Sequence, residues 1–145
     1  MQCLTKEATN KWIDDHLGLK YKFLGRDLGG VDCLGLVVLF YSDMLGVELP
    51  DPVIRGEVPL HERADFITSL FHKVRLDEVP IGGVAYCRRK HSGKLWNHCM
   101  LAVDPPRYFA QMSSQDGLHR IHIYDCEEID RLTYYALRKT LPEYI

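Results

Sequence analysis

At 145 residues, 46 % of them hydrophobic, the chain is long enough for one domain over residues 1–145 to bury a core without disulfide or metal staples. A net charge of -2 with no basic stripe argues against nucleic acid as a partner, and no stretch is long enough for membrane insertion. Five cysteines, an odd number without paired spacing, do not read as a disulfide framework, and the start from Met1 to Glu7 lacks the apolar region of a signal peptide.

Thr5 caps a predicted helix running through Leu17, with Ala8, Trp12 and Ile13 on one face and Gly18 as its stop. Gly29 and Gly30 then allow a sharp turn into a second helix from Leu34 to Leu45, apolar nearly all round and therefore buried. Gly46 and Leu49-Pro50-Asp51-Pro52 begin a loop, followed by a third predicted helix at about His61 to Val74 with Phe66, Leu70 and Phe71 inward. Strands are predicted at about Gly83 to Arg88, Trp96 to Asp104, Tyr108 to Ser113, Leu118 to Tyr124 and Thr133 to Arg138. Helices followed by strands imply an α+β domain with an antiparallel sheet. Neither repeats nor a linker divide the chain.

Cys33 stands behind a glycine-rich turn and ahead of an apolar run, in Gly30-Val31-Asp32-Cys33-Leu34-Gly35-Leu36-Val37-Val38. A cysteine between such neighbours fits a small buried hydrophobe. The first turn of a helix is also where unpaired N–H groups and the macrodipole favour thiolate over thiol. Asp32 precedes the helix directly, Gly35 lets a backbone or a substrate approach closely, and Tyr21 lies twelve positions upstream.

A thiol nucleophile needs a base within hydrogen-bond reach and a third group to orient it. Of seven histidines, His16 ends the first helix, His61 and His72 flank the third, His91 sits in a polar turn, and His119 and His122 lie in a short strand that reads as an exposed edge. His98 instead opens the strand-like run Asn97-His98-Cys99-Met100-Leu101-Ala102-Val103-Asp104. If the hairpin through Asp104-Pro105-Pro106-Arg107 closes with Asp104 opposite Arg107, His98 faces Ser113 directly and Gln111 diagonally, and either could orient the imidazole. Cys87, His91 and Cys99 are too loosely spaced for structural zinc, and neither metal nor cofactor is expected.

The segment from Tyr21 to Arg26, followed by Gly30 to Val37, resembles the NlpC/P60 cysteine peptidases, whose nucleophile follows an Asp and precedes a small residue, Gly and apolar residues. The match is closest to the short phage-encoded, tail-associated branch. The resemblance extends to the first helix, to Gly83-Val84-Ala85-Tyr86, and to the strand that His98 opens. Two positions depart from the family pattern: Leu34 replaces the usual Ser or Ala after the nucleophile, and Gly83 stands where Asp is common.

The resemblance implies a papain-like α+β fold, with N-terminal helices packed on an antiparallel sheet. It implies Cys33 as nucleophile, His98 as base and Gln111, in Phe109-Ala110-Gln111-Met112, as orienting residue. Tyr21, Asp32 and Leu34 are the implied substrate-binding positions, with Leu34 narrowing or greasing a subsite. The implied substrate is a peptidoglycan stem peptide. The implied setting is a phage tail tip with tail-tip partner proteins, in the virion or in the host cytoplasm during assembly. The alternative is a structural tail-tip subunit that keeps the fold with little or no activity. A third reading is acyl transfer to a lipid or small amide.

Overall fold

A computed structural model describes residues 4–49, 71–91 and 94–137, with side chains for 4–49, 71–89 and 98–137. Helix α1, Lys6–Asp15, begins where Thr5 accepts a hydrogen bond from the Ala8 N–H at 3.1 Å. Its buried residues are Thr9, Trp12 and Ile13, so Thr9 takes the inward place expected of Ala8. The helix stops at His16, whose ring stacks on Trp12, rather than at Gly18. Two-residue strands β1, Arg26–Asp27, and β2, Gly30–Val31, form a small hairpin leading into α2, Cys33–Leu45.

The expected third helix is not what the described part of that region forms. Phe71–Val74 is strand β3, while residues 61–70 lie outside the described residues. An isolated stretch with Phe at helical spacing fits an amphipathic helix, and only its partner strand makes the extended form the better one. That partner is β8, Thr133–Leu137, which pairs with β3 from Phe71 opposite Leu137 to Val74 opposite Tyr134. Between them in sequence come β4, Val84–His91, β5, Lys94–Asp104, β6, Tyr108–Ser113, and β7, Gly117–His122. The antiparallel sheet has the order β3-β8-β4-β5-β6-β7, so the last strand lies between the first and second.

Both sheet faces are covered, which is why β5 reads as an almost unbroken apolar run. Cys99, Leu101 and Val103 pack with Leu36, Val37 and Phe40 of α2 and with Trp12 and Ile13 of α1. Met100 and Ala102 face the other way, onto Phe109, Ile123 and Cys126. Polar ties fix α1 on the sheet: Asn10 donates to the Val103 carbonyl at 3.0 Å, and Arg120 of β7 donates to Asn10 and pairs with Asp14 at 2.9 Å. The fold is α+β, the described residues forming two α-helices against a six-stranded antiparallel sheet.

Gly83, one of the two departures from the family pattern, has a steric reason. A Cβ there would lie 2.8 Å from Val79 Cγ1 and 3.0 Å from the carbonyl oxygens of Pro80 and Tyr135, so a side chain at this position requires Val79 and two stretches of backbone, one of them β8, to shift.

Candidate active site

The site is built around the first turn of α2. Asp32 is its N-cap in extended conformation, and its carboxylate accepts from the Gly35 N–H at 2.7 Å, the Leu24 N–H at 3.1 Å and Arg26 Nη1 at 2.7 Å. One buried side chain thus ties the loop before β1, the β1 strand and the helix head together. Burial pushes the Asp32 carboxyl up, with Arg26 pulling the other way and the neighbouring Cys33 adding to the rise. Gly35 is required here: an added Cβ would clash with the Gly25 carbonyl oxygen, so the close approach is that of another backbone.

Cys33 is the first residue of α2 and is half-buried. Its thiol lies well below the ordinary range: the Cys99 side chain hydrogen-bonds to it, outweighing the opposite effect of burial, and His98 adds a hydrogen bond and its charge. Cys99 moves the opposite way, well above the usual thiol range, because it shares that hydrogen bond with Cys33 and is buried. The shared hydrogen bond thus favours ionisation of Cys33 over that of Cys99.

His98 and Gln111 are both buried, and His98 Nε2 lies 2.9 Å from Gln111 Oε1. The hairpin register explains the contact. Leu101 pairs with Ala110 and Ala102 with Phe109, and continuing that register sets His98 opposite Ser113 with Gln111 on the diagonal. The long amide spans the diagonal, while the Ser113 hydroxyl turns away to accept from the Asp116 N–H at 3.0 Å. Tyr21 is bridged to Val31 and stands partly exposed beside the helix head, its phenol pushed up by burial and then by Cys33 and Asp32.

Two expected substrate positions are placed elsewhere. Asp32 is 1 % exposed with its oxygens held by three donors, and Leu34 is 6 % exposed within the main core. Position 34 faces inward, so a hydroxyl there would be buried against the core instead of offered to a substrate.

Arg26, Cys99 and His119 belong to the site although the sequence reading did not single them out. His119 has a sequence signal: the turn after Ser113 closes with Ser113 opposite Gly117, which sets His119 directly opposite Gln111. Among the described residues no group of three His, Cys, Asp or Glu is arranged to hold a metal ion. No described helix is long and apolar enough to cross a membrane.

The other described cysteines offer an internal comparison. Burial, then the charge of Glu128, pushes Cys87 up to about 11, and burial also raises Cys126. Iodoacetamide near neutral pH is expected to modify Cys33 at least about tenfold faster than Cys87, Cys99 or Cys126, because thiolate is the reacting form. With its pKa lowered, Cys33 should keep that rate across neutral pH and lose it only as acid protonates the thiolate. Peptide mapping of the alkylated protein checks this, and equal labelling of the four would refute it.

Solved structures share this architecture. The NlpC/p60 domain of the peptidoglycan hydrolase SagA aligns over its full length and 92 % of this chain, with a TM-score of 0.62 and 12 % identity. An NlpC/P60 family protein from Bacillus cereus ATCC 10987 aligns with 97 % of this chain at a TM-score of 0.68 and 15 % identity. A protein from Staphylococcus aureus subsp. aureus Mu50, described as similar to lipoprotein, NLP/P60 family, aligns with 95 % of the chain at 0.62 and 17 % identity. The chain spans 42 % and 44 % of the length of these last two. No protein-family model and no curated protein matches the chain. The fold is that of NlpC/P60 domains.

Proposed function

We propose that this chain is a cysteine peptidase that cleaves amide bonds in peptidoglycan stem peptides. The observation that carries the reading is the convergence of a low-pKa thiol at a helix head with a buried imidazole whose far nitrogen meets a side-chain amide. His98 Nδ1 takes the Cys33 proton as the thiolate forms and attacks the scissile carbonyl, delivers that proton to the leaving amine, and then takes one from the water that displaces the thiolate and releases the acyl group. Gln111 accepts from His98 Nε2 and leaves Nδ1 for the thiol side. At the head of α2 the Gly35 N–H is taken by the Asp32 carboxylate and the Leu36 N–H by the Asp32 carbonyl, and the backbone N–H beside the nucleophile is the group that stabilises the negative charge developing on the carbonyl oxygen. Tyr21, partly exposed beside Cys33, is placed to touch the substrate.

The substrate class rests on the NlpC/P60 fold and on the peptidoglycan hydrolase among the structural neighbours. The inferred setting, a phage tail tip with tail-tip partners, rests on the sequence resemblance of the Gly30–Val38 block to the tail-associated branch. An inactive structural subunit fits less well. The crowding at Gly83 accounts for one of the two departures from the family pattern, and Cys33 at the helix head and the His98–Gln111 contact are both retained.

Digestion of purified sacculi with mass analysis of the released fragments tests the reading: cleaved stem peptides are expected, and intact sacculi would overturn it. In the same assay Gln111→Ala is expected to lower turnover about 100-fold, less than loss of the nucleophile, since it orients the base without taking the proton. Ser113→Ala should change it by less than about threefold, the hydroxyl serving only its own turn. The reverse order of severity would make Ser113 the orienting residue.

A further inference from the structure

The hydrogen bonds do not stop at Gln111. Its Nε2 lies 3.1 Å from His119 Nε2, and His119 Nδ1 lies 2.9 Å from the Gly117 carbonyl oxygen. A carbonyl can only accept, so His119 Nδ1 carries a proton, and in the neutral ring Nε2 is then a lone pair. Facing that lone pair, the Gln111 amide must present its NH2 group, which turns Oε1 toward His98. An amide oxygen also only accepts, so His98 Nε2 bears the hydrogen and Nδ1 remains as the basic nitrogen.

We infer that His119 is a positioning residue: by accepting from Gln111 it fixes the amide orientation, and thereby decides which nitrogen of His98 is the base. This deepens the peptidase reading and rests on it. Without His119 the amide has no preferred end, since its oxygen and nitrogen have nearly the same shape. With the NH2 group turned toward His98 Nε2, that nitrogen must supply the lone pair. The proton then moves to Nδ1, the nitrogen required to accept from the thiol. Gln111 is buried, so bulk water is poorly placed to substitute for the lost acceptor. The backbone carbonyl of Gly117, at a tight turn, is the fixed reference from which all three side chains take their orientation.

Three readouts test this. Long-range proton–nitrogen NMR of the histidine rings in Cys33→Ala, where no thiolate perturbs His98, should show His98 protonated on Nε2 and His119 on Nδ1. Introducing His119→Leu should give His98 a mixture of the two neutral forms. With Cys33 intact, His119→Leu should slow Cys33 alkylation at neutral pH about tenfold and lower kcat by a similar factor at unchanged KM. His119→Gln, whose side-chain oxygen falls near the lost Nε2, should recover both to within about threefold. Wild-type reactivity and an unchanged His98 signature in His119→Leu would overturn the inference, as would His119→Gln being as damaging as His119→Leu. If neither variant folds, a His119 ring protonated on Nε2 in the unaltered neighbourhood would overturn it by itself. Failure to digest sacculi would overturn the peptidase reading alone, because the NMR and alkylation results need no substrate.

Discussion

Cys33→Ala is expected to lower stem-peptide release from sacculi by at least about 1,000-fold, roughly 4 kcal/mol of barrier, while thermal unfolding stays close to that of the parent protein. No other described thiol is as reactive: Cys99, Cys87 and Cys126 are all buried, and each has its thiol pKa pushed up. Cys33 is only half-buried and contributes little volume to the core, so its loss leaves a small defect. Cys33→Ser should be nearly as inactive, because a hydroxyl at the same place stays protonated where the thiol ionises. Activity within about tenfold of the parent in either variant would remove Cys33 from the nucleophile's role.

The second large effect falls on stability. Asp32→Ala is expected to cost about 3 to 5 kcal/mol, because it leaves the Arg26 guanidinium buried without its carboxylate and also removes the cap of α2. The Arg26 side chain is only 9 % exposed, so water cannot take the place of the lost partner. The raised pKa of Asp32 adds a further expectation: burial costs this carboxylate more than Arg26 returns. Replacing both ends, Arg26→Met with Asp32→Ser, should therefore recover most of the loss, the serine retaining a capping oxygen. Urea unfolding of the parent, the single variant and the double variant measures all three states. A loss under about 1 kcal/mol for Asp32→Ala would show that the pair is solvated and contributes like a surface salt bridge.

What could be read in the sequence was what local chemistry determines. The glycines before an apolar run set Cys33 at a helix head, although Asp32, expected at the substrate, is the cap of that helix. Strand period and turn length left both Gln111 and Ser113 within reach of His98, and the family resemblance chose Gln111; the turn itself differs from the expected one, since Asp104 pairs with Tyr108 and a bulge between Ala102 and Asp104 restores the pairing of Leu101 with Ala110. What could not be read depended on partners far along the chain. Phe71–Val74 is a strand because Thr133–Leu137 lies beside it, and nothing within four residues announces that. Leu34 looked like a change in a subsite because its neighbour is the nucleophile, yet helical geometry turns consecutive side chains about 100° apart, and Leu34 points into the core. Arg26 and Asp32 are ordinary charged residues in sequence, and only burial makes them a structural pair.

The position of β8 between β3 and β4 constrains the order in which the molecule can assemble. The meander from β4 to β7, which carries His98, Gln111 and His119, is joined by short turns and closes early, since neighbouring strands meet with little loss of loop entropy. Strand β3, by contrast, has as its partner among the described residues only Thr133–Leu137, about sixty residues later in the chain. Pulsed hydrogen exchange during refolding should accordingly protect the amides of β5 and β6 before those of β3 and β8. The acid–base half of the site would then stand formed on a sheet whose far edge is still open, and β8 closes that edge without touching the chemistry.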